Sequence, residues 1–503
     1  MVRSVSALAR AIGRDVSHLM GGLRGRSGGP PAGLHAYRTD AGDRRRIHLR
    51  IQQDGSALLF VDVTDVIHLS ASAAAIAYLV LEKVAEPQAI AVLERWFRGA
   101  SGQALAGDYR ALARLIDEVS APDTTCRTCA LDVPRTPLFS VRAQAPHKVD
   151  LALTYACNND CPHCYNDPSR FDLQSLSGAE WKQVIDRLVD IGVPHLILTG
   201  GEATFHPELC EIVAHAHRRG LVVGLNSNGR RLKHAAYTRS LAAAGLDHVQ
   251  ITLESSRADV HDAMVAAPRA FAQTVRGVEV CIESGLHTIT NSTLTRVNAD
   301  HVEETVEFLH SLGLRTFAMN GMIYSGGGDR NPDALLQGEL PPLLVRVRDT
   351  ARELGMRFLW YTVTEYCEMS PVELEIGAKR CNAGEYSMCV EPNGDVLPCQ
   401  SYYVSAGNLL RDPWERIWKG ELFRSFRDRE SDPGGAGLPE KCWECPDLPL
   451  CGGGCRIERE SRDGRAPGNC QSCSSGGLSR TRSSGLSAET FIPLSRLNRR
   501  AAP

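Results

Sequence analysis

Residues 149–164 read Val149-Asp-Leu-Ala-Leu-Thr-Tyr155-Ala-Cys157-Asn-Asn-Asp-Cys161-Pro-His163-Cys164. Val149–Tyr155 is apolar enough for a buried strand, and three cysteines follow within a short loop. Further strand-like runs occur at His195–Thr199, Leu221–Asn226, His248–Glu254, Thr288–Leu294 and Arg315–Asn320. Helix-length segments lie between them, including Gly178–Ile191, Pro207–Arg219 and Val302–Leu312. Strand and helix in alternation imply a parallel sheet, and six units fit an α/β fold with a partial (β/α)6, TIM-like barrel better than a closed barrel of eight. Active sites in such sheets lie at the C-terminal strand ends, where the cysteine loop falls.

In bulk the chain is ordinary. Its 503 residues suffice for roughly three folded units. Lys and Arg total 56 against 59 Asp and Glu, a net charge of −3. That balance speaks against a whole-chain footprint for nucleic acid or a membrane surface. Apolar residues at 43% and charged residues at 23% describe a globular protein. The best apolar run, Ala73 to Leu81, is far shorter than the ~20 residues of a membrane helix. Cysteine is the outlier, with 17 in a few clusters. No apolar signal segment precedes them, so they point to metal or iron–sulfur sites in a reducing cytoplasm rather than disulfides.

The spacing predicts six segments. Residues 1–35 read as a flexible arginine-bearing N-terminus ending at Gly28-Gly29-Pro30-Pro31. Residues 36–125 hold three strands and then three helices, a winged-helix-like α+β order. Ile47, Leu49 and Ile51 alternate with polar residues as in a half-buried strand, and Ala57–Val63 and Val66–Leu69 are the other two. The helices are Ser72–Val84, a second opened by Pro87, and Tyr109–Val119. A linker, 126–146, carries Cys126 and Cys129 and has no assigned role. The barrel spans 147–360 and a cysteine-rich region 361–475. The Ser/Gly/Arg-rich 476–503 reads as a flexible tail.

Cys157, Cys161 and Cys164 can chelate one ion or cluster, yet they leave it a ligand short. On a [4Fe–4S] cluster three cysteines leave one iron open to an outside molecule. A structural zinc wants four ligands, and His163 is within reach as the fourth. Thr199-Gly200-Gly201-Glu202 ends the second strand of the barrel. Its glycines permit a tight turn and close backbone approach, and its glutamate sets a carboxylate beside the cysteine loop.

These motifs closely resemble those of the radical S-adenosylmethionine (SAM) superfamily. The carrying residues are Cys157, Cys161 and Cys164 in a CxxxCxxC pattern, then Gly200-Gly201-Glu202. The resemblance implies that the three cysteines hold a [4Fe–4S] cluster whose fourth iron SAM chelates. It also implies that Gly200, Gly201 and Glu202 bind the SAM amino group. Reductive cleavage of SAM would then yield methionine and a 5'-deoxyadenosyl radical, which abstracts a substrate hydrogen. Asn226, Ser227, Glu254 and Asn291, at later strand ends, sit where the family often contacts the ribose or carboxylate of SAM. Each also fits a strand-end polar residue bonded to a local turn. His163 stands where the family usually has an aromatic.

The C-terminal cysteines form a second pattern: Cys381, then Gly394-x4-Cys399, Cys442-x2-Cys445-x5-Cys451-x3-Cys455, and Cys470 and Cys473. The paired spacings alone would suit a zinc ribbon. The complete series resembles the SPASM extension of peptide-modifying radical SAM enzymes, which implies two auxiliary [4Fe–4S] clusters. By resemblance Cys381, Cys389, Cys399 and Cys455 hold the first. Cys442, Cys445, Cys451 and a downstream cysteine, Cys470 over Cys473, hold the second. Cys210 and Cys281 read as small buried apolar residues, and Cys367 as either that or a spare cluster ligand.

Residues 46–120 resemble the leader-peptide recognition domain of ribosomal-peptide maturation systems, similar to the peptide chaperone of pyrroloquinoline quinone biosynthesis. The stretch Ile47–Gly55, then Val66–Ser70 and the following helices, carries it. Such domains bind a peptide as an added strand. Arg44, Arg45, Arg46 and Arg50 would favour an acidic leader.

The resemblances imply a cytoplasmic radical SAM/SPASM maturase that crosslinks a precursor peptide through a thioether or carbon–carbon bond. A reductant such as flavodoxin or ferredoxin would serve it, and neither nucleic acid nor membrane is expected as a partner. One rival is a SPASM enzyme maturing a folded or nascent protein, of the sulfatase or quinoprotein type. The other is a non-catalytic zinc scaffold with a winged-helix nucleic-acid module.

Overall fold

A computed structural model describes residues 29–38, 46–62, 65–97, 99–120, 138–329, 331–462 and 490–492, with backbone alone at 120, 462 and 490–492. The N-terminal 28 residues, Arg44, Arg45, Cys126, Cys129, Cys470 and Cys473 lie outside the described residues. The chain divides into two compact units, residues 1–137 with 487–503, and residues 138–486.

In the first unit, β1 (Gly33–Arg38), β2 (Arg46–Ile51), β3 (Ala57–Val61) and β4 (Asp65–Leu69) pair antiparallel in chain order. Helices Ala71–Leu81, Glu86–Trp96 and Gly102–Ser120 follow. Ser70 starts the first helix by accepting the amide of Ala73 at 3.3 Å. Leu49, Leu59, Ile67, Ile76, Leu93 and Leu112 meet in one core.

Three expectations for this unit are corrected. Among the described residues four strands stand ahead of the helices, because Gly33–Arg38, whose sequence carries no clean alternation, pairs along the whole of β2. β2 is buried at every position rather than half-exposed. Its arginines are covered as its aliphatics are: Arg46 is 5% and Arg50 4% exposed, the latter with its guanidinium 5.3 Å from the Phe60 ring centre. Finally, the segment expected as a bare tail supplies a strand, Thr490–Ile492, parallel to β4 at Ile67–Leu69.

The second unit is built on one nine-stranded sheet. β5 (Lys148–Thr154), β6 (His195–Gly200), β7 (Val222–Ser227), β8 (His248–Thr252), β9 (His287–Thr293) and β10 (Thr316–Asn320) are the six expected strands, all parallel. A seventh parallel strand, β11 (Arg357–Trp360), extends them beyond β10. On the other edge β12 (Ser387–Val390) runs parallel to β5 and forms a hairpin with β13 (Val396–Leu397). The cysteine-rich region therefore continues the barrel sheet. Leu151, Leu153, Leu196 and Leu198 are wholly buried, as strands of an enclosed parallel sheet must be.

The connecting helices start and stop as their sequences dictate. Gly178–Ile191 opens with a capping box between Ser177 and Glu180, seats Trp181 in the core, and ends at Gly192 with φ +95°. Among the described residues no helix is long and apolar enough to cross a membrane.

Past β12 the chain turns back onto the cysteine loop. Glu391, fully buried, accepts hydrogen bonds from Tyr155 Oη at 3.0 Å and Arg170 Nε at 2.9 Å, and pairs with the second guanidinium nitrogen of Arg170. The amide of Leu176 donates to the carbonyl of Pro392 at 2.8 Å. Removing one partner of such a buried pair leaves the other charge uncompensated. Glu391→Ala is expected to lower stability by about 3 kcal/mol, read from urea denaturation. An unchanged midpoint would show that this joint carries no load.

Candidate functional site

The ends of β5 and β6 approach as closely as backbones can. The amide of Gly201 donates to the carbonyl of Thr154 at 2.8 Å, and that of Glu202 to the carbonyl of Ala156 at 2.9 Å. A Cβ on Gly200 would lie 2.0 Å from the Thr154 oxygen, and one on Gly201 2.4 Å from that of Tyr155. Only glycine fits at both positions, and Gly200 also holds φ +136°. This contact sets where the cysteine loop starts.

Several side chains then grip the loop. Asn166 Nδ2 donates to the carbonyl of Gly200 at 3.1 Å. His163 Nε2 lies 3.1 Å from Glu254 Oε1, so its ring is aimed at that carboxylate. Burial would depress the His163 pKa, but the hydrogen bond and charge of Glu254 outweigh it and raise it. Glu254 is itself buried and accepts the amide of Thr293 at 2.7 Å.

Two residues that sequence reading passed over, Asn228 and Arg230, hold the loop from the turn after β7. Asn228 Nδ2 donates to Asn158 Oδ1 at 2.7 Å and lies 3.9 Å from Cys157 Sγ. Arg230 donates to the carbonyl of Asn158 and, at 2.7 Å, to Asn159 Oδ1. Their signal was present, since Asn228-Gly229-Arg230 directly continues the strand-end pair Asn226-Ser227. The amide of Gly327 also donates to the carbonyl of Cys164 at 2.7 Å.

Of the other sequence-named residues, Glu202 is 1% exposed. It accepts from Thr204 N at 3.1 Å, Ser227 Oγ at 3.0 Å and Asn228 N at 2.7 Å, so Glu202 and Ser227 join the ends of β6 and β7. Asn226, on the same strand, stays half-buried. Asn291 donates through Nδ2 to Asn320 Oδ1 at 2.7 Å, while its own Oδ1 is buried without a hydrogen-bond partner. A buried acceptor of this kind is costly unless something donates to it.

The three loop thiols lie within electrostatic reach of one another. Burial first, then the charges of Glu254, Cys164 and Cys157, hold the Cys161 thiol well above the usual thiol range. Bound iron reverses that preference, because a coordinating thiol is deprotonated. Among the described residues no three His, Cys, Asp or Glu side chains gather as ligands of a single ion, whereas a cuboidal cluster takes thiolates at separate corners. The donor set fits an iron–sulfur cluster.

The C-terminal cysteines sort into two groups. Burial and then Cys381 raise the Cys399 thiol, and the same two causes push that of Cys455 up to about 12. Burial, Glu365, Lys441, Cys451 and Cys445 set that of Cys442, which stands at about 11. Cys451 and Cys455 belong to different groups although only three residues separate them. The link is Gly452-Gly453-Gly454, with φ of +64°, +75° and +72°, three successive left-handed residues, a path that strongly favours glycine.

Beside Cys381, the buried guanidinium of Arg380 meets Glu430 at 2.6 Å and the carbonyl of Pro449 at 2.8 Å, tying one group to the other. Cys389 sits among Ala152, Tyr155 and Leu397, with Asp150, Glu391 and Cys399 within electrostatic reach. Cys281 is wholly buried, as expected. Cys210 is half-buried, its thiol 3.5 Å from Ser240 Oγ.

A family model for the radical SAM superfamily matches residues 151–309. One for an iron–sulfur cluster-binding domain, SPASM, matches 381–446. The PqqA peptide cyclase of Xanthomonas euvesicatoria pv. vesicatoria is 30% identical over 341 residues, 64% of this chain and 86% of that protein. An AdoMet-dependent heme synthase of Methanosarcina barkeri is 28% identical over 336 residues, 64% of this chain and 94% of that protein. The structure of SuiB of Streptococcus suis, bound to its precursor peptide SuiA, superposes with a TM-score of 0.59 at 16% identity, over 84% of this chain and 96% of that one.

The chain belongs to the radical SAM superfamily and carries a SPASM domain. It is a radical SAM enzyme, with SAM and a [4Fe–4S] cluster as cofactors and further iron–sulfur clusters in the SPASM domain.

Gly201→Ala is expected to drive the cysteine loop off β6. Iron bound after anaerobic reconstitution should then fall by about four atoms per chain, one cluster's worth, with the C-terminal sites keeping theirs. Full iron content in this variant would refute the close-approach account.

Proposed function

We propose that this enzyme modifies a ribosomally made precursor peptide, forming a thioether or carbon–carbon crosslink within it. The observation that carries the peptide reading is the first unit, whose antiparallel strands β1–β4 precede three helices and leave the outer side of β4 to a strand that is not its neighbour in the chain. That edge already pairs with a strand from far along the chain, Thr490–Ile492, which is the way an added peptide strand binds. The relatives divide between a peptide cyclase and a heme synthase, and a strand-accepting unit favours the peptide.

In this reading Cys157, Cys161 and Cys164 hold the cluster that SAM completes. When bound, cluster and SAM supply a 5'-deoxyadenosyl radical that takes a hydrogen atom from the substrate. Gly200, Gly201 and Glu202 border the SAM position, with Asn226 and Asn291 on the later strands. The unpartnered Asn291 Oδ1 offers an acceptor. Glu202, Ser227 and Glu254, already bonded within the protein, act by holding the strand ends and the loop in place.

Cys381, Cys399 and Cys455 hold one auxiliary cluster, with Cys389 as a neighbour able to complete it. Cys442, Cys445 and Cys451 hold the other. Residues 36–125 serve leader recognition, 147–360 the radical chemistry and 361–475 the auxiliary clusters.

The test is anaerobic incubation with dithionite, SAM and a short precursor encoded beside the enzyme, followed by mass spectrometry. The expected result is 5'-deoxyadenosine and a peptide lighter by two hydrogens per crosslink. A Cys157/Cys161/Cys164→Ala triple variant should form neither. SAM cleavage with an unaltered peptide mass would overturn the peptide reading and leave the radical chemistry standing.

A further inference from the structure

Of the side chains that grip the cysteine loop, that of Asn228 also touches a thiol. Its Nδ2 lies 2.7 Å from Asn158 Oδ1 and 3.9 Å from Cys157 Sγ, the longer contact being one that only an atom as large as sulfur can make as a hydrogen bond.

The other end of the amide decides which way it faces. Asn228 Oδ1 accepts the backbone amide of Arg230 at 3.0 Å. The NH2 group is therefore turned to the cysteine loop, and it carries two hydrogens. One goes to Asn158 and the second is left for Cys157.

The backbone of Asn228 is fixed as well. Its amide donates to Glu202 Oε2 at 2.7 Å, and its carbonyl accepts from Thr274 Oγ1 at 2.9 Å. The next residue, Gly229, is packed so closely on the helix Ala270–Glu283 that a Cβ on Gly277 would lie 2.2 Å from the Gly229 oxygen. A donor held at so many points reaches the sulfur without further ordering of the chain.

Cys157 Sγ accepts a second donor, the backbone amide of Asn159, at 3.4 Å. Such donors matter because the surroundings are acidic. The buried carboxylates Glu202 and Glu254 lie within electrostatic reach of Cys157 and Cys161. One-electron reduction adds one negative charge to the cluster and breaks no bond. Nearby carboxylates oppose that charge, and N–H donors to the sulfurs favour it.

We infer that Asn228 sets how readily the SAM-binding cluster is reduced, by donating an N–H···S hydrogen bond to the Cys157 thiolate. The inference rests on the reading that Cys157, Cys161 and Cys164 hold that cluster. It is independent of which substrate the radical attacks.

The test is a potentiometric titration of the anaerobically reconstituted full chain. It follows the EPR signal that the parent shows and the Cys157/Cys161/Cys164→Ala triple variant lacks. Asn228→Ala, Asn228→Asp and Asn158→Ala are compared singly with the parent. Asn228→Ala is expected to lower the ratio of reduced to oxidised cluster at a fixed potential about fivefold, the worth of one such hydrogen bond. Asn228→Asp should lower it further, because a negative oxygen replaces the N–H. In that variant the Asn158 amide can rotate and donate in its turn, so the loop keeps its anchor and iron content should match the parent. Asn158→Ala removes the anchor and leaves the donor to Cys157, and should keep the parent's ratio.

An unshifted ratio in Asn228→Asp would overturn the inference. So would a shift in Asn158→Ala as large as that in Asn228→Ala, or loss of this cluster's iron in Asn228→Asp, since either would make Asn228 a clamp on the loop and nothing more. A parent whose signal and iron match those of the triple variant would overturn the reading of the three cysteines, and the inference with it.

Discussion

The second unit depends on a contact between two backbones, the seating of Gly200-Gly201-Glu202 against Thr154–Ala156. Two amide hydrogen bonds of 2.8 and 2.9 Å form there, at a separation that any Cβ would abolish. Because the cysteine loop starts one residue past that contact, the position of β6 becomes the position of Cys157. The side chains that follow transmit the same constraint. Glu202 reaches Ser227 and Asn228, Asn228 reaches Asn158, and Glu254 reaches His163. Successive strand ends thus hold one loop. This is how a parallel sheet makes a precise site from a segment with no regular structure of its own.

A second constraint joins the chemistry of the sheet to that of the cysteine-rich region. β12 extends the barrel sheet beyond β5, and Glu391 just after it binds Tyr155 and Arg170 on either side of the cysteine loop. The first and later cysteine groups consequently share one framework. A shared sheet fixes the separation between the two regions.

The cysteine array shows how far local sequence can mislead about partners. Cys451 and Cys455 look like neighbours in one motif, yet three glycines in left-handed conformations turn them toward different groups. Cys367, which belongs to no motif, shares a cavity with Cys442, Cys445 and Cys451. The first unit gives the same lesson for charge. Arg46 and Arg50 read as favouring an acidic leader, and the fold buries both.

What the sequence determined by itself was the set of features that repeat locally or need a particular residue type. These include the alternation of strand and helix, the helix caps, the Cys157–Cys164 spacing and the glycine turn, because hydrophobic period and backbone conformation act over a few residues. Element ends agreed closely at Gly178–Ile191 and at the barrel strands. Tertiary structure alone decided β11 and the pairing of Thr490–Ile492 with β4, since their partners are remote in the chain, and it showed β1, which has no clean alternation, through its pairing with β2. It alone decided that Asn228 and Arg230 clamp the cysteine loop, that β2 is covered throughout, and that Cys367 shares a cavity with Cys442, Cys445 and Cys451. Each of these depends on which distant segments meet, and the energy of such a meeting is not written in either segment alone.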